Sequence, residues 1–319
     1  MTPCRQHMLA GIALLNDGEV SAALCHFENA LSLRLATSWE NDSSSAWLVA
    51  AAWINRGDCL RALARSEEAL DSYAHAMTAM AHVPLDENPG YHHRLLLACL
   101  NHATVCGELG RSADALAGFA HAETIVASHG TTATPAGREL AGMLHTHRAT
   151  VLLESTQIIE GWRSACKSIE PPGPATGDAA IKARAVYCRA LAMLLDEPDC
   201  EAFENDWIAT ATDTVEETLT LARQCGYRAD WIADLVRYGA RIYRACQPHF
   251  LGEFVAEWCT EDPALRRFGL GEIALAKRDL ELRLRRTSGH AAPIAGHLDI
   301  LRSLQLAERQ ISTYSAAPA

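Results

Sequence analysis

Histidine and cysteine are the residues of this sequence that could ligate a metal ion, because the chain holds fourteen histidines and eleven cysteines. Their spacing does not assemble a site. His92 and His93 are adjacent, and His145 and His147 are two residues apart, so neither pair shares one face of a helix. The sequence has no HExxH, no CxxC and no zinc-type spacing. We expect no metal and no cofactor, and interpret most cysteines as buried thiols of a cytoplasmic protein.

Motifs for nucleophilic catalysis and for phosphate binding are also missing from the sequence. It contains no Walker loop, no GxGxxG and no GxSxG. The short motif Gly269-Leu270-Gly271 lies within a helical pattern, where a helix packing contact explains it better than a phosphate cradle. We therefore expect no enzymatic activity. An all-helical enzyme with a buried site that carries no sequence motif stays open as an alternative.

Composition favours a helical chain and disfavours two classes of partner. The 319 residues are 49% hydrophobic and only 6% aromatic, and alanine and leucine dominate. A net charge of −11 disfavours nucleic acid as a partner. No apolar run approaches the ~18 residues of a membrane span. We expect no nucleic acid and no membrane as partner, and a possible homo-oligomer.

The elements that position any site are predicted by an internal repeat with a period of 46 residues. Four copies align without insertion, and the fourth is the most degraded. Small residues recur at Gly11, Gly57, Ala103 and Ala149, and again at Ala23, Ala69, Ala115 and Gly161. The turn position holds Gly18, Ala64, Gly110 and Thr156, and the bulky position holds Phe27, Tyr73, Phe119 and Ala165. The offsets predict four antiparallel helical pairs, in which small residues allow close approach and the aromatic fills the space between pairs.

This pattern of small and aromatic positions resembles the tetratricopeptide repeat, and Trp53 with Gly57 adds the tryptophan and glycine of that family. The family period is about 34 residues. The extra residues here precede each first helix and predict a longer first helix and a longer connecting loop. That is similar to the long-helix variants in kinesin light chains and bacterial peptide-sensing regulators. Ser66 and Ser112 are predicted to cap the second helices of their pairs.

The resemblance implies that the first helices line a concave face that binds an extended segment. Counting back two residues from the small position gives Asn55, Asn101 and His147. A carboxamide is both donor and acceptor, so a ladder of such residues could bond the backbone of a peptide. The binding residues predicted for this face are Asn55, Asp58, Arg61, Asn101, Thr104 and His147. The alternative for each asparagine is a bond to a neighbouring loop or to solvent.

The residue before the small position is usually apolar in the family, but three copies here carry Arg56, His102 and Arg148. Polar groups at such a position must be paired or must reach solvent. One hypothesis is a basic strip on the groove floor, suited to an acidic peptide. The alternative is pairing with carboxylates of the same chain, such as Glu108 or Glu154.

After the fourth copy, the stretch PPGPATG at 171–177 predicts a break. We expect two regions: four repeats over 1–170, and diverged helical repeats over 178–319 with a terminal capping helix at 298–312. Segments 229–246 and 249–259 are predicted to form one diverged hairpin. The aromatic residues of this half are interpreted mainly as core, and as a possible second contact surface: Trp207, Trp231, Tyr238, Tyr243, Phe250, Phe254 and Trp258.

The sequence therefore predicts an all-α, right-handed superhelical solenoid of tetratricopeptide type. Its predicted function is that of a non-catalytic cytoplasmic scaffold, such as an adaptor, chaperone or regulatory subunit, that binds a peptide segment or a partner protein in a concave groove. A peptide-sensing regulator would share this groove, but the first repeat begins near residue 4 and no DNA-binding helix-turn-helix is expected before it. Docking on a large enzyme complex through the convex or C-terminal surface is a further alternative.

Overall fold

The computed structural model describes residues 2–85, 89–128, 134–170, 177–195, 206–286 and 291–313. All regular elements within these ranges are helices. The chain divides into two compact units, Met1–Ala175 and Thr176–Ala319, called unit 1 and unit 2 below. The predicted break at 171–176, the side chain of Trp207 and the terminal residues 314–319 lie outside the described residues.

Unit 1 consists of four consecutive helical hairpins. Their helices are α1 Pro3–Asn16, α2 Val20–Leu35, α3 Ser43–Ala62, α4 Ser66–Met80, α5 Pro89–Glu108, α6 Ser112–Ser128, α7 Pro135–Glu154 and α8 Ile158–Ile169. The first helices α3, α5 and α7 are 20 residues long and begin 46 residues apart. Each second helix packs on the next first helix, and successive first helices also touch. The predicted all-α fold is confirmed, and α3, α5 and α7 are longer than α1, which has 14 residues.

One turn geometry closes all four hairpins. Gly18, Ala64, Gly110 and Thr156 have φ values of 81°, 57°, 73° and 59°. In each hairpin the next residue donates its N–H to a carbonyl five residues back, as Arg65 does to Leu60 at 2.8 Å. This bond satisfies a carbonyl at the end of the first helix and reverses the chain. The period of the sequence is therefore also a period of backbone conformation.

Small residues sit where an aromatic ring crosses from the second helix. A Cβ added to Gly11 would lie 2.7 Å from the ring of Phe27, and one added to Gly57 would lie 2.6 Å from Tyr73. Both rings are fully buried. These glycines are needed because the backbone of the first helix forms one wall of the ring's pocket.

The second helices begin at the residues we predicted as their caps, which is one residue earlier than that prediction implies. Arg65 occupies the cap position of α4 and makes no side-chain cap bond, so Ser66 is the first helical residue. Ser112 is likewise the first residue of α6. The carbonyls of Arg65 and Arg111 accept the first intrahelical bonds, because the left-handed turn already orients the chain for the second helix. Acidic residues do occupy both first turns.

Unit 2 has six helices among its described residues: α9 Gly177–Leu194, α10 Asp206–Gln224, α11 Ala229–Cys246, α12 Leu251–Trp258, α13 Pro263–Arg286 and α14 Ala291–Thr313. The turn of unit 1 recurs once here, at Gly226 between α10 and α11, where φ is 70°. The hairpin closed by this turn thus precedes the one expected from the sequence, although α11 also packs on α12 through Tyr243 and Phe254. The terminal helix α14 buries Leu304 and Ile311 against its neighbours α12 and α13.

Three of the aromatic residues named for unit 2 are internal, and Trp231 and Tyr238 are partly exposed. Tyr243, Phe254 and Trp258 are buried, whereas 45% of Phe250 is exposed. Among the described residues, no helix combines the length and apolarity needed to cross a membrane.

Candidate functional site

The candidate site is the side of the first helices that points away from their second helices. Gly57 and Ala103 face the second helices, and a residue two positions earlier lies about 200° around the helix. Residues seven positions before that lie on the same side. We call this surface the first-helix face, defined by Leu48, Asn55, Arg94, Asn101, Leu140 and His147. All of these side chains are partly exposed except Leu140, which is 5% exposed.

A polar network joins α3 to α5 beside this face. Asp58 accepts hydrogen bonds from the hydroxyl of Tyr73 at 2.7 Å and from Nδ2 of Asn101 at 3.0 Å. Burial raises the pKa of the Asp58 carboxyl, and the two hydrogen bonds and the charges of Arg61 and Arg94 oppose that rise. The same burial and the nearby Asp58 charge raise the pKa of Tyr73, so this phenol remains a donor. Asp58 and Asn101, predicted as separate ligand contacts, therefore bond each other.

Arg61 also bridges the two first helices. Its guanidinium binds the carboxylate of Glu108 through Nε at 3.1 Å from both oxygens, and through Nη2. About 36% of the Arg61 side chain and 42% of the Glu108 side chain is exposed. An ion pair this exposed contributes little stability, about 0–1 kcal/mol, so its main effect is to hold both side chains in place.

Arg94 is a cation on the first-helix face that we did not predict. Its guanidinium lies 4.8 Å from the ring centroid of Trp47 on α3. Burial lowers the pKa of Arg94, and the Asp58 charge partly offsets this. No ion pair or hydrogen bond joins its side chain to another described residue. Position 94 corresponds to Leu48 and Leu140 in the flanking repeats, so a charged residue there was visible in the alignment as the exception.

The residues of the predicted ladder differ in burial and in hydrogen bonding. Asn55 is half-buried, and its carboxamide makes no hydrogen bond to another described residue. Asn101 has donated its amide to Asp58, which leaves its carbonyl oxygen as an acceptor. His147 is partly buried at the equivalent position of α7. Thr104 is buried and donates its hydroxyl to the Leu100 carbonyl at 2.8 Å, so it presents no group to a ligand.

The three residues of the basic-strip hypothesis point toward second helices and not to the first-helix face. Arg56 binds Ser72 on α4 at 2.6 Å and Glu28 on α2 at 3.3 Å. Arg148 binds Glu123 on α6 at 2.8 Å. The two arginines are thus paired within the chain, with carboxylates other than those expected, because the side of the helix they occupy faces the preceding hairpin.

His102 is the third residue of that set. Burial lowers the pKa of its imidazole, and the charge of Asp114 opposes this shift. Its Nδ1 lies 3.8 Å from Sγ of Cys106. A neutral imidazole that faces the interior adds no positive charge to the surface, so no continuous basic strip forms.

Metal-binding residues do not converge in the described parts of the chain, where no group of three histidine, cysteine, aspartate or glutamate side chains could hold an ion. The ten cysteines that the structure describes are free thiols. Burial raises the pKa of the thiol of Cys188, and likewise that of Cys99, to about 12. Such thiols stay protonated and unreactive.

Comparisons with known proteins find likeness in structure but not in sequence. No protein-family model matches the chain, and no curated protein matches it significantly. The apo form of RapI superimposes with a TM-score of 0.56 at 12% identity, over 99% of this chain and 98% of RapI. The Rap conjugation gene regulator of plasmid pLS20, in complex with the Phr* peptide, has a TM-score of 0.49 at 12% identity, over 96% of this chain and 74% of that one. The chain thus has an all-α fold of tetratricopeptide type, shared with RapI over nearly its whole length.

Proposed function

We propose that the protein is a non-catalytic cytoplasmic scaffold whose unit 1 holds an extended segment of a partner protein on the first-helix face. The observation that carries this proposal is the state of Asn55 and Arg94. One is a carboxamide and the other a cation, both are partly exposed on the same face, and neither is bonded to a described side chain as donor or acceptor.

The chemistry of these groups suits a peptide. A carboxamide bonds one peptide unit as donor and acceptor, whatever side chain the peptide carries there. The carbonyl oxygen of Asn101, one repeat away, can accept from a second peptide unit. Leu48, which is partly exposed, adds apolar contact along the same face. Arg94 favours a segment that brings a carboxylate, because Trp47 holds its guanidinium in position and charge-assisted bonds are the stronger ones.

A photo-crosslinking experiment in the native host tests this placement. A benzophenone amino acid replaces Leu48 on the first-helix face, Asp71 on the exposed side of α4, or Leu306 on α14, which is 58% exposed. We expect a partner peptide to be captured from position 48 and not from 71. Capture from 306 alone would support docking through the C-terminal surface. Capture from none of the three, or equally from 48 and 71, would contradict a site on the first-helix face.

The variant Asn55→Ala gives the matching measurement of affinity. Because no described partner loses a bond, the melting temperature should stay unchanged. Binding of the captured peptide should weaken by roughly three- to tenfold, as for one lost hydrogen bond. Arg94→Gln should weaken an acidic segment by about tenfold or more. The double variant Asn55→Ala/Asn101→Ala should bind least, and unchanged binding by it would refute the ladder.

A further inference from the structure

Two successive interfaces between hairpins are built from equivalent repeat positions, but the side chains at these positions differ in size. In the first, between α2 and the α3–α4 hairpin, Trp53 fills the space. Its ring stacks on His75 with centroids 4.6 Å apart and an interplanar angle of 26°. The guanidinium of Arg56 lies 5.5 Å from the centroid of the same ring. Ser72 is fully buried beside it and bonds Arg56.

The second interface, between α4 and the α5–α6 hairpin, lacks that filling. Forty-six residues after Trp53 stands Cys99, and 46 after Ser72 stands Gly118. Ala103 packs against Gly118, where an added Cβ would lie 2.8 Å from the Ala103 Cβ, so the empty space lies at Cys99, and a cavity of about 460 Å³ remains. It is lined by Leu70, Met77, Cys99, His102, Cys106, Arg111, Asp114, Ala117, Gly118 and His121.

The residues that line this cavity include the repeat equivalents of the residues that contact the Trp53 ring in the first interface. His121 is the repeat equivalent of His75 and lies, like it, on the exposed rim. His102 takes the place of Arg56, and burial keeps its imidazole neutral by lowering its pKa. Leu70 and Met77 supply apolar surface, and the Cys99 thiol lies 3.4 Å from the Met77 sulfur. Sulfur and imidazole are both favourable neighbours for an aromatic ring.

We propose that this cavity is a binding site for a planar aromatic ligand of indole size or larger, whose ring stacks on His121 as Trp53 stacks on His75. The inference is independent of the first-helix face, since the cavity lies on the second-helix side of α5. Its volume of about 460 Å³ exceeds the roughly 150 Å³ of an engineered apolar cavity that takes benzene. The ring would therefore carry substituents, and the charged mouth residues Arg111 and Asp114 could contact polar ones.

Titration of the full chain with indole, followed by ligand-observed NMR, tests this site. We expect saturable binding with a dissociation constant below about 1 mM. Benzyl alcohol and cyclohexylmethanol form a matched pair of flat and puckered rings, and the flat ring should bind more tightly. N-acetyltryptophanamide identifies the source of the ring. Binding as tight as that of indole would assign the ring to a partner's tryptophan, and its exclusion would assign it to a free small molecule.

Two variants locate the bound ring. Cys99→Trp restores the residue of the preceding repeat and should reduce indole affinity at least about tenfold by filling the cavity. Cys99→Ser is its control and should leave affinity within about threefold. His121→Ala on the rim, which does not threaten folding, should weaken indole by about two- to tenfold, whereas His75→Ala should not.

The proposal is overturned by any of three results. These are no saturable indole binding up to about 5 mM, equal binding of the flat and puckered rings, or indole affinity unchanged by both Cys99→Trp and His121→Ala. Failure of the indole titration leaves capture at position 48 unaffected, so the two proposals are separable.

Discussion

The α3–α4 hairpin and the α5–α6 hairpin have the same backbone plan and stabilise it by different chemistry. In the first, Gly57 faces Tyr73, whose hydroxyl reaches Asp58. In the second, Ala103 stands in place of Gly57, Phe119 in place of Tyr73, and Thr104 in place of Asp58. Thr104 satisfies its own hydroxyl on the helix backbone.

This difference shows that the polar atoms of a repeat change as a set. A buried phenol needs an acceptor, and a buried carboxylate needs donors, so Tyr73 and Asp58 occur together. The phenylalanine repeat needs neither. The same logic applies to volume: Trp53 occupies one interface, whereas the smaller Cys99 borders a cavity in the next one.

The largest expected effect on stability comes from replacing Trp53 with cysteine, the residue at the equivalent position beside the cavity. Trp53→Cys removes the ring that stacks on His75. Because the ring is only partly buried, we expect the free energy of unfolding to fall by about 2–3 kcal/mol, which is below the range for fully buried aromatics. Urea unfolding measures it. The control Cys99→Ala, at the equivalent position beside the cavity, should cost about 1 kcal/mol. Equal losses in the two variants would contradict the difference between the interfaces.

An intermediate effect is expected from exchanging the aromatic residues of the two hairpins. Tyr73→Phe takes one donor from Asp58, and Phe119→Tyr adds a hydroxyl to a ring that is fully buried. Each should lower the free energy of unfolding by about 1–2 kcal/mol. Adding Thr104→Asp to Phe119→Tyr should recover part of the loss. If the double variant is less stable than Phe119→Tyr alone, an aspartate at position 104 does not compensate for the tyrosine hydroxyl. That result would contradict the idea that the two residues occur together for this reason.

The smallest expected effect is a change in the pH dependence of stability, and it tests the carboxylate of Asp58 alone. Burial raises the folded-state pKa of Asp58 above 3.8, so the folded state binds the proton more tightly than the unfolded state. The contribution of Asp58 to stability is therefore fullest below 3.8 and falls as pH rises through the raised value. The wild type should lose stability relative to Asp58→Asn with a slope of at most roughly 1.4 kcal/mol per pH unit.

Urea unfolding of both proteins between pH 4 and 7 gives this difference. Asp71→Asn, which removes an exposed carboxylate of α4, is the matched control for the change in charge. A difference that moves in favour of the wild type as pH rises would mean that the ionised carboxylate is stabilised by its arginines more than it is disfavoured by burial.

The hairpins of unit 1 could be predicted closely because the signals that define them are local. Turn residues and small residues recur at fixed offsets, and the helix bounds follow them. The caps at Ser66 and Ser112 were misplaced by one residue, since a left-handed turn can start a helix without a side-chain cap. In unit 2 the turn at Gly226 was not recognised as equivalent to the turns of unit 1, because no second copy at a fixed distance marks it.

The candidate site was predicted only in outline. The face and the positions of Asn55 and Asn101 follow from helical geometry. The bond from Asn101 to Asp58 does not, nor does the pairing of Arg56 with Glu28, because each joins residues on different helices. Arg94 stands out in the alignment between Leu48 and Leu140, but its contact with Trp47 of the neighbouring helix is visible only in the structure.

The sequence by itself determined the period, the positions of the turns and the face that each first helix turns away from its partner, since these depend on residues within one or two turns of each other. Only the tertiary structure decided which polar groups of that face are already bonded and which interface holds a cavity. Both depend on side-chain rotamers and on distances between helices, and residues more than forty positions apart in the chain set them together.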